Sequence, residues 1–210
     1  MKTILCFGDS ITWGYHPKTT ERYPFQDRWT GVLQTALGDK YDIIEAGVNG
    51  RTTAFDDPVQ PNRNGSLALP IELLTHSPID LVIIMLGLND LKTYLHGSAR
   101  QAAAGCSLLI RQVRSSMAGP NGNAPKILLI SPPVLIPLPG YLGTLLTEKS
   151  VAESHELGKH YRALAEYLNV AFMDAADIVK VSPTDGCHLE ASENHKLGKA
   201  VAEKIKQIFA

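Results

Sequence analysis

Cysteine is scarce: Cys6, Cys106 and Cys187 are the only three in 210 residues. An odd number with no CxxC pair excludes a disulfide framework and a cysteine zinc site, and suits a reducing cytoplasm. Excess charge of either sign is equally missing. Twenty Lys+Arg against twenty-one Asp+Glu leave a formal charge of −1, which gives no general attraction to nucleic acid or anionic lipid. The sequence also lacks repeats, low-complexity tracts and linkers. Its start, Met1-Lys2-Thr3-Ile4-Leu5-Cys6-Phe7-Gly8-Asp9, is apolar too briefly for a signal peptide, so cytoplasmic residence is expected. The one uncharged run long enough to span a bilayer, Ile127 to Thr147, carries Pro132, Pro133, Pro137 and Pro139. Each proline removes a backbone donor that lipid cannot replace, so this run reads as a strand followed by an apolar loop, with no membrane partner.

What is present is enough for a core. Hydrophobic residues make up 44% and charged residues 20%, so a chain of this length can bury about 70% of its unfolded surface. Residues 1–210 are expected to form one domain. Short apolar runs alternate with helical patterns, which predicts an α/β fold: a three-layer αβα sandwich on a flavodoxin-like parallel sheet of about five strands. The strands fall at Thr3–Phe7, Tyr41–Glu45, Leu81–Leu86, Lys126–Ile130 and Val170–Met173. Helices are expected over 26–37, from a capping box at Ser98 and Gln101 to Gly119-Pro120, from a cap at Thr147 through Leu168, and near the C-terminus through Leu197, Val201, Ile205 and Ile208. On the second of these, Cys106, Leu109, Ile110, Val113 and Met117 share the core face. The stretches 8–25, 47–68, 88–97, 131–146 and 174–191 read as irregular, and each leaves the carboxyl end of a strand, where open parallel sheets bind ligands.

Those loops carry the chemistry. Strand one runs into Gly8-Asp9-Ser10, strand two into Ala46-Gly47-Val48-Asn49-Gly50 and strand three into Gly87-Leu88-Asn89-Asp90. In the order 2-1-3-4-5 the first strand lies between the second and third, which puts the Ser10 hydroxyl between a glycine amide and an asparagine carboxamide. Acyl transfer needs a nucleophilic oxygen and donors about 3 Å from the oxygen that becomes negative. The N–H groups of Ser10 and Gly47 and the side-chain amide of Asn89 are the candidate oxyanion donors. A base comes late, in Asp185-Gly186-Cys187-His188: at this spacing the carboxylate can reach Nδ1 of His188 and leave Nε2 for the Ser10 proton. No GxSxG elbow occurs. Asp9, Trp13 and Leu88 flank these groups and are counted with the substrate-binding residues. Asp9 and Asp90 also read as carboxylates that fix their loops by accepting backbone N–H bonds. Trp13, Tyr15, Phe25 and Trp29 suit a pocket or the core.

Gly8-Asp9-Ser10, the glycine-rich second loop, Gly87-Leu88-Asn89-Asp90 and Asp185-x-x-His188 occur in order, and together resemble the four signatures of the SGNH (GDSL-type) hydrolases. Arg28-Trp29-Thr30-Gly31, Gly50-Arg51-Thr52-Thr53 and Asp56-Asp57-Pro58 are similar to the bacterial arylesterase and acyltransferase branch. The resemblance implies the SGNH hydrolase fold, Ser10 as nucleophile, His188 as base, Asp185 as its orienter, and Ser10, Gly47 and Asn89 as the oxyanion hole. It further implies a small-molecule ester substrate, no cofactor, no metal, and a homo-oligomer as is frequent in the branch. The expected activity is hydrolysis of small or aryl carboxylic esters with short acyl groups, with transfer to alcohols or peroxide. A thioesterase or lysophospholipase of the same superfamily, or a non-catalytic ligand-binding module, are the alternatives. Ile11 follows Gly-Asp-Ser where leucine is usual, and Leu88 stands where threonine is more frequent, making the pocket rim more apolar. The 134–146 loop departs furthest and is expected to shape the substrate pocket. His155 and His160 are five apart and miss the HExxH spacing; His16, His76, His96 and His195 read as solvated or capping. Cys187 is set aside as a nucleophile, because adjacent side chains in a turn seldom meet.

Overall fold

The computed structural model describes residues 1–95 and 97–210, so His96 lies outside the described residues. Five strands, β1 (Lys2–Gly8), β2 (Tyr41–Gly47), β3 (Leu81–Met85), β4 (Lys126–Ser131) and β5 (Ala171–Asp174), form one parallel sheet in the order β2-β1-β3-β4-β5. The central strands are apolar on both faces, as Ile4, Leu5, Cys6 and Phe7 in β1 and the whole of β3 are buried, which a sheet covered by helices on both sides requires. The helices are α1 (Ser10–Trp13), α2 (Trp29–Leu37), α3 (Gly65–His76), α4 (Ala99–Ser115), α5 (Gly140–Leu145), α6 (Glu148–Leu168) and α7 (Ala191–Phe209). Helices α2 and α7 pack together as one layer, and α3, α4 and α6 as the other. The expected three-layer SGNH hydrolase fold is the one observed, with each strand within two residues of its expected bounds.

The helices depart more. The segment expected as one helix over 26–37 is a 3₁₀ turn, Phe25–Asp27, then α2, broken at Arg28 (φ −83°, ψ 145°). Arg28 leaves the helical region to pair Nη1 with Glu45 at 2.7 Å. Helix α4 stops at Ser115, and Met117, expected on its buried face, has φ +53° and is exposed. Its start is as expected: the Ser98 hydroxyl accepts from the Gln101 N–H. Thr147 occupies the cap position of α6 without a side-chain bond.

Three helices are additional to those expected: α1 lies inside the stretch 8–25, α5 inside 131–146, and α3 begins in 47–68 and runs on to His76. Helix α3 is hidden by Pro70 in its interior and by apolar residues on both faces: Leu69 and Leu73 are buried, Leu67, Ile71 and Leu74 exposed. Pro70 cannot donate to the Ser66 carbonyl four residues back, and the Gln112 carboxamide of α4 donates to that oxygen instead, at 2.8 Å. Helix α5 follows Pro139 within the apolar 131–146 stretch. Among the described residues no helix is long and apolar enough to cross a membrane.

Candidate active site

The candidate nucleophile and base gather at the carboxyl edge of the sheet, over β1, which lies between β2 and β3. Ser10 is the first residue of α1. Asp9 caps this one-turn helix by accepting the Ile11 N–H at 3.0 Å, and Gly14 closes it at φ +88°. The turn presents the Ser10 hydroxyl above the sheet edge with its own N–H bonded to no protein acceptor among the described residues.

From the other end of the chain, the turn Asp185–His188 brings the imidazole to it. Asp185 Oδ1 accepts the N–H groups of Cys187 and His188, both at 3.0 Å, so the turn is wound around its own carboxylate. Gly186 permits it with φ +76°. Asp185 Oδ2 lies 2.6 Å from His188 Nδ1, and His188 Nε2 lies 2.8 Å from Ser10 Oγ. The three side chains are buried, and Tyr15 stacks on the imidazole at 4.2 Å between centroids. Burial pushes the Asp185 carboxyl up. The hydrogen bond and charge of His188 and the two backbone N–H groups outweigh it, and hold the group below the usual carboxylate range.

The second loop is fastened to its neighbours by buried polar groups. Arg51 Nη1 donates to the carbonyls of Gly8, at 3.1 Å, and Ala46, while its guanidinium lies 4.2 Å from the Phe7 ring centre. Asp90 accepts from the N–H and hydroxyl of Thr53. Lys92 Nζ reaches Asp57 at 2.8 Å and Gln60 at 3.0 Å, and the Tyr94 hydroxyl donates to Asp57 at 2.9 Å. Burial raises Asp90 to about 7 and Asp9 to about 6. Asp9 and Asp90 thus fix loops, and the Asn89 carboxamide, 3.4 Å from Asp9 Oδ2, is aimed by that contact.

A cleft of about 200 Å³ opens over Ser10, with Asn49, Gly50, Gln60, Arg63, Asn89, Lys92 and His188 among its polar lining and Tyr15, Leu142, Leu145, Leu146 and Cys187 completing it. Ser10, His188 and Asn89 therefore meet there, with Asp185 behind the imidazole. Gly47 does not. It ends β2, and a Cβ on it would lie 2.2 Å from the Trp13 nitrogen, so its role is to let α1 press against β2. The loop's glycine at the cleft is Gly50, at φ +80° and with no protein acceptor for its N–H among the described residues. Its place in Gly50-Arg51-Thr52-Thr53 was the available signal. Asp9 and Leu88 are buried and Trp13 packs against Tyr15 and Arg22, so none of these three substrate-binding candidates lines the cleft. The expected pocket role of 134–146 falls to Leu142, Leu145 and Leu146. Trp29 is core, and burial pushes the Cys187 thiol well up, which disfavours the thiolate.

Known proteins share this fold. The Est24 carbohydrate acetylesterase of Sinorhizobium meliloti superposes with a TM-score of 0.95 at 42% identity, covering all of both chains. The aryl esterase of M. smegmatis does so at 0.94 and 43%, over 99% of each. The lipoprotein YqeF of Bacillus subtilis (strain 168), itself uncharacterized, is 30% identical over 101 residues, 46% of this chain and only 35% of that protein. Residues 6–195 match the GDSL-like Lipase/Acylhydrolase profile. The chain therefore belongs to the GDSL-like lipase/acylhydrolase family, the SGNH hydrolases.

Proposed function

We propose that residues 1–210 form a single hydrolase domain that cleaves small or aryl carboxylic esters with short acyl groups through an acyl-enzyme on Ser10. The observation that carries this reading is the buried imidazole of His188, 2.8 Å from a serine hydroxyl on one nitrogen and 2.6 Å from a carboxylate on the other. Ser10 Oγ attacks the ester carbonyl carbon as its proton passes to His188 Nε2, and Asp185 stabilises the resulting imidazolium. The carbonyl oxygen, now negative, is met by the N–H groups of Ser10 and Gly50 and by the Asn89 carboxamide. The tetrahedral adduct expels the alcohol, which takes the proton from His188. Water then repeats the attack on the acyl-Ser10 ester, freeing the acid and restoring the hydroxyl.

The small cleft favours short acyl groups over the long chains of a lysophospholipase, and the acetylesterase and aryl esterase activities of its relatives agree. Its leucine wall limits water at the acyl-enzyme, so an alcohol or peroxide competes as acceptor. Replacement of Ser10 by Ala should lower p-nitrophenyl acetate turnover by at least ~10³-fold with the circular-dichroism spectrum unchanged; undiminished turnover in that variant refutes the proposal.

A further inference from the structure

The cleft is lined by two permanent cations, Arg63 and Lys92, and by no carboxylate. They are not equivalent. The Lys92 ammonium is already met by Asp57 and Gln60, and Asp57 is held in turn by Tyr94. Arg63 has no carboxylate within ion-pair distance among the described residues, and its only side-chain bond is from Nη1 to the Pro61 carbonyl at 3.1 Å. Its Nε is buried without an acceptor. The position is not that of a loose surface arginine. The Arg63 carbonyl accepts the Thr52 N–H at 2.9 Å, and Nε lies 3.4 Å from where a Cβ on Gly50 would stand. The backbone of Arg63 is thereby fixed, and its guanidinium lies beside the proposed oxyanion glycine. It also forms the partition between the Ser10 cleft and a second groove of about 540 Å³ along α3, whose lining includes Asp56 and Asp57. In that groove Asp57 is buried against Lys92 and Asp56 accepts from Asn64, while no carboxylate lines the cleft, so an anion entering beside Ser10 meets the guanidinium without a competing carboxylate.

We infer that Arg63 is a specificity residue that receives a carboxylate carried by the ester substrate, so that esters of carboxylate-bearing molecules are preferred over neutral ones. The inference rests on the esterase reading above and adds the substrate's charge to it. A guanidinium with free N–H donors in a partly enclosed cleft holds a carboxylate by charge-assisted hydrogen bonds, which water screens less than at an open surface. The carboxylate could sit on the leaving alcohol or on the acyl group, and matched ester pairs separate the two. For the alcohol side the pair is 4-acetoxybenzoate and its methyl ester; for the acyl side it is monophenyl succinate and phenyl butanoate.

In at least one pair, the ratio of kcat/KM for the anionic over the neutral ester should fall about tenfold or more in Arg63→Met and be largely kept in Arg63→Lys. An equal fall for both members of each pair, or no change of either ratio, overturns the inference. A binding measurement separates its failure from that of the esterase reading. In a Ser10→Ala background, 4-acetoxybenzoate or monophenyl succinate, titrated by NMR, should bind about tenfold more weakly once Arg63→Met is added. Arg63-dependent binding alongside a wild-type enzyme that cleaves none of the four esters would uphold the anion site and remove the esterase reading. Binding of both anions indifferent to Arg63 overturns the inference whatever the enzyme cleaves.

Discussion

Each of the buried polar side chains around Ser10 has a separable job. Asn89 is the cleanest to test, because its carboxamide is the one proposed oxyanion donor that a side-chain substitution removes. Asn89→Ala should cost on the order of 10² to 10³ in kcat with little change in KM, read by steady-state kinetics on p-nitrophenyl acetate. Asp90 gives a pH signature. Its folded value of about 7 stands above the ~3.9 of an unfolded aspartate, so the folded state holds its proton more tightly. The associated stability is fully present below the unfolded value and is lost as pH rises through the folded one. Urea titrations from pH 4 to 8 should therefore show wild type losing stability relative to Asp90→Asn up to about pH 7, and no further change above it. At this scale the sequence was most legible where residue type and chemistry coincide, as for Ser10, Asn89, Asp185 and His188. It misled at Gly47, because two glycines three apart in one loop look alike until their surroundings are known. One makes room for a neighbouring backbone and the other faces the cleft.

Among the elements, the inner strands β1, β3 and β4 were readable because burial on both faces leaves an unbroken apolar run. Helix α3 was not, since a proline in its body and leucines on both faces erase the period that marks a surface helix. The structure meets that proline with a partner from another element. Gln112→Ala would leave the Ser66 carbonyl unbonded and should destabilise the fold by about 1–3 kcal/mol, measured by urea unfolding. Helix α6 has an equally specific attachment: the buried Tyr161 hydroxyl donates to the Leu86 carbonyl at 2.9 Å, just before the Gly87-Leu88-Asn89 turn. Tyr161→Phe should cost a similar ~1–3 kcal/mol, and by loosening the turn that carries Asn89 should lower kcat more than it raises KM. An effect on stability alone would show that the turn keeps its form without this bond.

For the molecule as a whole, the sheet order makes the site possible. With β1 between β2 and β3, three loops that are distant in sequence leave adjacent strand ends, and the turn beyond β5 needs only to reach back across them. The order was legible from the alternation of strands and helices together with the placement of motifs after strands. Which side chains wall the cleft was not, because Gln60, Arg63 and Leu142 carry no motif and are brought there only by the packing of long loops. The proposed reaction requires that Ser10 become covalently acylated with His188 as its base. Labelling with a fluorophosphonate followed by peptide mass spectrometry reads this step: one adduct is expected, on the peptide containing Ser10, much slowed in His188→Ala. A label on another residue, or ester hydrolysis that continues with Ser10 unmodified under excess reagent, would contradict it.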